Sequence, residues 1–96
     1  MKFIQIIEYT TSKPEEAQAV LDEFLAATEG KRGNAHGTVT KDRDKPNTYL
    51  QIVEFPSYDV AMKNSEDPAT KAMSEKMMKI ADGPPIFRNL DVTFEE

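Results

Sequence analysis

Four segments of the chain have the apolar and polar patterning that is typical of β-strands. The strongest are residues 3–9 and 48–55, where aliphatic and aromatic side chains predominate. Residues 34–41 alternate weakly and predict a polar strand at the edge of a sheet. Residues 86–94, which follow two consecutive prolines, predict the last strand. The pattern therefore predicts a four-stranded sheet.

The clearest helix lies between the first two strands. Apolar and small residues recur there at the spacing of one helical face: Ala17, Val20, Leu21, Phe24, Leu25 and Thr28. Ser12 and Glu15 are three residues apart, which is the spacing of a capping box, and Pro14 suits a first helical turn. Gly30 predicts the end of this helix.

Two further helical segments separate the third and fourth strands. The first covers residues 58–65, and Asp67 then predicts the N-cap of a second helix that ends near Gly83. The resulting order, β-α-β-β-α-β, is that of a ferredoxin-like unit. We therefore predict an α+β fold with an antiparallel four-stranded sheet, in a single domain that spans residues 1–96.

Both faces of the two strong strands are apolar, which predicts a second covering layer for the sheet. In a ferredoxin-like fold the helices cover one face only, so the other face would expose large apolar side chains to water. Face-to-face packing of two sheets would bury those side chains. We therefore predict a homodimer whose interface buries Phe3, Ile7, Tyr49 and Val53.

The charge balance argues against two classes of partner. The chain has 12 basic and 17 acidic residues, a net charge of −5, so neither nucleic acid nor an anionic membrane surface is expected. Gln5 and Glu8 interrupt the first apolar run, which is too short and too polar for a signal peptide or a membrane span. A cytoplasmic protein is predicted.

The residue types needed for most cofactor chemistry are missing from the sequence. There is no cysteine, no tryptophan, no glycine-rich phosphate loop and no paired-histidine motif. His36 is the only histidine, whereas a zinc or iron site needs several converging ligands. We therefore predict that no metal, haem or flavin is required. His36 could act as a general base, because imidazole titrates near neutrality, or it could be an ordinary surface or interface residue.

Two glutamates at the ends of strong strands form a second candidate group. The first and third strands are predicted to be parallel neighbours, and both glutamates end a strand on the same face. If Glu8 and Glu54 sit close together, mutual repulsion and burial would favour an acid/base pair. The alternative is that each carboxylate is solvated or paired with a lysine or arginine.

The middle of the chain resembles the antibiotic biosynthesis monooxygenase (ABM) family, whose members are small dimeric α/β barrels. The resemblance covers most of the chain and is clearest in the turn Asp44-Lys45-Pro46-Asn47, the strand ending Glu54-Phe55, Asn64 on the short helix, and Asp67-Pro68 at the start of the next. Phe55 stands where many members have tryptophan, and Asn64 stands where histidine is common.

The resemblance implies a cofactor-independent monooxygenase that acts on an aromatic or quinol-type metabolite. The haem-degrading branch is not favoured, because the chain lacks tryptophan and its only histidine precedes a predicted strand. The competing interpretation is a non-catalytic module of the same fold, which binds a small aromatic or apolar ligand or serves as a dimeric scaffold.

Nine residues are candidates for the site that this chemistry needs. Asn64, Arg88, His36 and Gln51 could orient a hydroxyl group or stabilise an oxyanion. Tyr49, Phe55, Met62, Met73 and Met77 could form the apolar walls, although methionines fill ordinary cores equally well. Gln51 raises a conflict, because the resemblance places it in the pocket whereas the predicted dimer places its strand face at the interface.

Overall fold

The structure, a computed structural model, describes residues 1–28 and 35–96. The elements in chain order are β1 Phe3–Thr10, α1 Pro14–Ala27, β2 His36–Lys41, β3 Thr48–Phe55, α2 Tyr58–Glu66, α3 Pro68–Ile80 and β4 Ile86–Asp91. The four strands form one sheet in the order β2-β3-β1-β4, and each neighbouring pair is antiparallel. The predicted α+β, ferredoxin-like fold is confirmed.

The start of α1 differs from the prediction. Lys13, not Ser12, is the N-cap residue, and its side chain makes no capping hydrogen bond. The Lys13 backbone N–H instead donates to Thr11 Oγ1 at 3.0 Å, while Ser12 Oγ donates to Asp82 Oδ1 at 3.4 Å. The capping box predicted from Ser12 and Glu15 is therefore wrong. The predicted end at Gly30 lies outside the described residues.

Helices α2 and α3 both begin at side-chain caps, and the cap at Asp67 was predicted. Ser57 Oγ accepts a hydrogen bond from Val60 N at 3.3 Å, and Asp67 Oδ1 accepts one from Ala69 N at 2.8 Å. Asp67 is also the C-cap of α2, with extended backbone angles. The two helices are therefore consecutive but separate, with Pro68 in the first turn of α3.

The antiparallel register separates the two strand-end glutamates. Glu8 pairs with Leu50 and Glu54 pairs with Ile4, so the carboxylates lie toward opposite ends of the sheet. The predicted acid/base pair is wrong, because it assumed parallel strands. Each glutamate has a basic neighbour instead: Lys2 Nζ lies 3.1 Å from Glu54, and Arg88 Nη1 lies 3.9 Å from Glu8.

The helices cover one face of the sheet, which we call the covered face. Phe3, Val53 and Phe55 on this face form a buried cluster with Ala61 of α2. The predicted dimer interface of Phe3, Ile7, Tyr49 and Val53 is therefore wrong, because the covered face carries all four residues. Apolar patterning on both faces of β1 and β3 did not reveal which of them the helices cover.

The opposite face, which we call the open face, is also apolar at its centre. Its large aliphatic side chains are Ile4, Ile6, Leu50, Ile52, Ile86 and Leu90. Ile86 and Leu90 are 50% and 42% exposed. Within residues 1–28 and 35–96, the three helices all lie on the covered side.

A second buried cluster joins α1 to α3. It contains Leu21, Phe24 and Met73, with Val20, Ala69 and Met77 packed around it. Lys76 and Glu23 form a salt bridge between the same two helices, with Nζ and Oε1 2.5 Å apart. The buried core thus consists of one cluster on the sheet and a separate one between helices.

Two hydrogen-bonded features hold one end of the sheet. Thr11 is fully buried, and its Oγ1 donates to Ile80 O at 2.7 Å while its N–H donates to Asn47 O at 2.9 Å. In the β2–β3 turn, Asp42 Oδ1 accepts from the N–H groups of Asp44 and Lys45. Asn47 has a φ of 56°, a left-handed conformation that asparagine tolerates well.

Across the described residues, the longest helix has 14 residues, and none has the length and hydrophobicity needed to cross a bilayer. The predicted cytoplasmic location stays a prediction.

Candidate functional site

A cavity lies between the covered face and the helices, next to both buried clusters. It has two adjoining lobes of about 280 and 350 Å³, near the lower end of the range for small-molecule pockets. The lobes share five lining residues: Ile7, Gln51, Met73, Ser74 and Phe87.

The smaller lobe, which we call the apolar lobe, lies beside the C-terminal half of α3. Besides the shared residues, it is lined by Tyr9, Met77, Met78, Ala81 and Pro85. Met78 is 66% exposed and stands at the rim. Thioether and aromatic side chains give this lobe a soft, adaptable wall that suits a flat apolar group.

The larger lobe, which we call the polar lobe, lies beside the N-terminal half of α3 and the end of α2. Its polar lining residues are Gln5, Gln51, Asn64, Ser65, Thr70, Lys71, Ser74 and Glu75. Phe24, Val53 and Phe55 complete the wall. Lys71 and Glu75 are exposed, so the charged groups stand at the rim and the inner polar groups are neutral.

Five of the nine predicted site residues line this cavity. Gln51 lies between the two lobes, Asn64 and Phe55 line the polar lobe, Met77 lines the apolar lobe, and Met73 lines both. Gln51 therefore lies in the cavity and not at an interface on the open face, because its side of β3 is the one that the helices cover.

Four predicted residues lie elsewhere. His36 is exposed and lies opposite Glu54 in the β2–β3 register, on the open face. Arg88 is on the same face beside Glu8. Met62 packs against the cluster around Phe3 rather than lining either lobe. Tyr49 is on the covered face and its ring stacks on that of Tyr9, but it lines neither lobe.

Several lining residues were missed at the sequence level. Gln5 was missed, although it interrupts the apolar side chains on the covered face of β1 as the predicted Gln51 does on β3, and both line the polar lobe. This shared interruption was a usable signal. Phe87 and Thr70 gave none, because the sequence does not indicate which side of β4 or of α3 meets the cavity.

Tyr9 is a titratable residue of the described cavity lining whose pKa is shifted by its surroundings. It is 8% exposed, and its ring stacks on Tyr49 with centroids 5.8 Å apart. Burial raises the pKa of Tyr9 above its ordinary value, and proximity to Tyr49 raises it further. Tyr9 is therefore protonated at neutral pH and presents a hydroxyl donor, not a base.

A spectrophotometric titration tests this assignment. We expect the tyrosinate absorbance to include a component that appears above the ordinary pKa of about 10, and Tyr9→Phe to remove it. Because the pKa is raised on folding, Tyr9 leaves stability unchanged below pH of about 10 and lowers it as the pH rises further. Tyr58→Phe is the control and should leave the late component in place. A late component that survives Tyr9→Phe would contradict the assignment.

Among the described residues, no group of three or more His, Asp or Glu side chains could hold a metal ion. The cavity lining offers amides and hydroxyls in place of such a cluster. That no cofactor is needed stays a prediction.

Comparison with solved structures places the fold among ABM-type proteins. A candidate antibiotic biosynthesis monooxygenase from Caulobacter crescentus CB15 superposes with a TM-score of 0.86 at 16% identity, covering 97% of this chain and 91% of that chain. SnoaB, a cofactor-independent oxygenase from Streptomyces nogalater, gives 0.81 at 16% identity, covering 98% and 95%. A candidate antibiotic biosynthesis monooxygenase from Nitrosomonas europaea gives 0.82 at 10% identity, covering 97% and 91%.

No family model and no curated protein sequence matches the chain. The resemblance predicted from the turn, strand and helix motifs is confirmed at the level of fold, which is ABM-like. At these identities the superpositions carry the fold and not the reaction.

Proposed function

We propose that this protein is a cofactor-independent monooxygenase that acts on an aromatic phenol or quinol-type compound. The observation that carries the proposal is the position of Gln51 and Asn64, two amide side chains in the wall of one largely apolar cavity. The superposition on SnoaB, which is a cofactor-independent oxygenase, adds support by analogy.

The proposed chemistry needs an electron-rich ring and a stabilised oxyanion. In the cavity, the ring lies in the apolar lobe against Met73 and Met77, and its oxygen points toward Gln51 and Asn64. Their amide N–H groups donate to the oxygen as negative charge develops, which lowers the cost of ionising the substrate. Glu75, the one carboxylate among the described lining residues, stands at the rim as an acceptor for the released proton.

Oxidation then proceeds from the ionised substrate. The anion transfers an electron to dioxygen, the two radicals combine at carbon to form a peroxide, and loss of water leaves a carbonyl group. For 1,8-dihydroxyanthrone the balance is one substrate and one dioxygen giving one dihydroxyanthraquinone and one water. One oxygen atom enters the product, and the other leaves as water.

Oxygen uptake with 1,8-dihydroxyanthrone tests the proposal. We expect uptake above the spontaneous rate, with one atom of ¹⁸O from labelled dioxygen in the quinone, measured by an oxygen electrode and mass spectrometry. Heat-denatured protein sets the background. Binding without uptake above that background would reject the oxygenase and support the competing interpretation, a non-catalytic binding module.

We also propose that the protein is a homodimer, with the open face as its interface. The support is the central aliphatic patch of Ile4, Ile6, Leu50 and Ile52, which continues into the exposed Ile86 and Leu90 of β4. Two open faces packed together would remove this patch from water. A chain of 96 residues buries a modest fraction of its surface alone, so the added burial stabilises it materially.

A further inference from the structure

One hydroxyl group in the cavity wall lacks a hydrogen-bond partner among the residues that the structure describes. Thr70 lines the polar lobe, and its Oγ1 is buried without a hydrogen bond, the one such side-chain atom among the described residues. Buried hydroxyls in folded proteins almost always have a partner, so this exception leaves room for one from outside the chain, which is a water molecule or a ligand.

The reason that Thr70 is unsatisfied lies in the break between α2 and α3. A threonine or serine inside a helix usually donates to the carbonyl four residues earlier. Thr28 Oγ1 does so to Phe24 O at 2.8 Å, and Ser65 Oγ does so to Ala61 O at 3.1 Å. Thr70 is the third residue of α3, so the corresponding carbonyl belongs to Glu66, the last residue of α2.

The surroundings of Thr70 favour an oxygen-bearing ligand. Thr70 shares the polar lobe with five other neutral hydrogen-bonding side chains, among them Asn64 and Gln51, and the apolar lobe adjoins it. A hydroxyl can donate or accept, because its hydrogen rotates to suit the partner. A phenolic hydroxyl or a ring carbonyl meets this requirement, whereas a hydrocarbon would leave the group unsatisfied.

We propose that Thr70 is a specificity-determining residue, whose hydroxyl binds an oxygen of an aromatic ligand in the polar lobe. The ligand then lies along the cavity with its oxygen at the start of α3 and its ring in the apolar lobe. This inference deepens the proposed function by naming what selects oxygenated rings, and it concerns binding alone.

Binding of a matched pair of probes tests the inference without turnover. 1-Naphthol and 1-methylnaphthalene differ by a hydroxyl in place of a methyl group, and calorimetric titration gives both dissociation constants. We expect Thr70→Val to raise the dissociation constant of 1-naphthol about tenfold and to leave that of 1-methylnaphthalene unchanged or lower. Thr70→Ser, which keeps the hydroxyl, should retain most of the affinity.

A stability measurement provides the second arm. In the ligand-free protein Thr70→Val removes an unsatisfied group, so its midpoint of denaturation should equal or exceed that of the parent. Thr28→Val removes a satisfied hydroxyl and should lower the midpoint. If both variants lower the midpoint of denaturation by the same amount, Thr70 has a partner inside the protein, and the inference is overturned.

The outcomes separate this inference from the proposed function. Three results would overturn the role of Thr70, whatever the oxygen uptake shows. They are an equal loss of affinity for both probes in Thr70→Val, an unchanged affinity for 1-naphthol in that variant, and no binding of 1-naphthol to the parent. Selective loss of 1-naphthol without oxygen uptake on 1,8-dihydroxyanthrone would uphold Thr70 and reject the oxygenase.

Discussion

Replacing Gln51 with alanine is expected to lower the turnover of 1,8-dihydroxyanthrone by about 10²–10³-fold, the usual effect of removing one oxyanion donor. Gln51 lines both lobes of the cavity, and its amide and the Ser74 hydroxyl are the two polar side-chain groups in the wall that the lobes share. Because the donor acts mainly on the developing anion, kcat should fall more than KM rises. Initial rates of oxygen uptake over a range of substrate concentrations measure both.

Gln18→Ala is the matched control for that variant. Gln18 is an exposed glutamine on α1 whose Nε2 donates to Asp22 at 3.0 Å, away from the cavity. It should turn over at the parent rate, which would exclude a general effect of losing an amide. Equal rates for Gln51→Ala and the parent would show that Gln51 takes no part in the reaction.

Replacing Ile52 with aspartate is expected to dissociate the proposed homodimer. Ile52 lies on the open face, opposite Ile6 of β1 and Thr38 of β2. A buried, unpaired charge costs about 2–5 kcal/mol, and a two-fold interface would contain it twice. The dimer dissociation constant should therefore rise by a factor of about 10³ or more. Sedimentation equilibrium at micromolar concentration measures the change.

Leu25→Asp supplies the comparison for the interface. Leu25 is 49% exposed on α1, so this variant introduces the same charge at an apolar position on the helical side. It should remain dimeric. A parent protein that sediments as a monomer would reject the dimer itself, and dissociation by Leu25→Asp alone would assign the interface to the helices.

The elements of the fold were largely predictable, because each depends on a local pattern. β3 has the bounds predicted for it, and the caps at Ser57 and Asp67 delimit α2 and α3. The start of α1 was mispredicted because Thr11 and Ser12 are adjacent, and the hydroxyl of either could accept a hydrogen bond from a backbone N–H at the start of the helix. Thr11 makes the contact, since it is also held by Ile80 from the end of α3.

The site was predictable only in part, since position on a strand does not reveal which face the helices cover. Gln51 and Asn64 came from the ABM resemblance, and both line the cavity. Arg88 and His36 were chosen for their chemistry, yet the strand pairing places both on the open face. The sequence does not distinguish Thr70 from other helical threonines. Its unpaired hydroxyl became apparent only from the structure, in which α2 ends at Glu66, the residue whose carbonyl would usually accept from Thr70.

The β2–β3 turn has a consequence for the composition of the cavity wall. Both faces of β3 are apolar at their centres, so a slip of one residue would exchange Gln51 and Val53 for Leu50 and Ile52 at little hydrophobic cost there, although Glu54 would replace the buried Phe55 at the strand end. At the centre of the strand, apolar patterning therefore specifies the register weakly. The geometric constraint comes from the left-handed Asn47 and its carbonyl bond to Thr11 N–H. Inserting or deleting a single turn residue would turn the glutamine out of the cavity while leaving the hydrophobic content of the sheet unchanged.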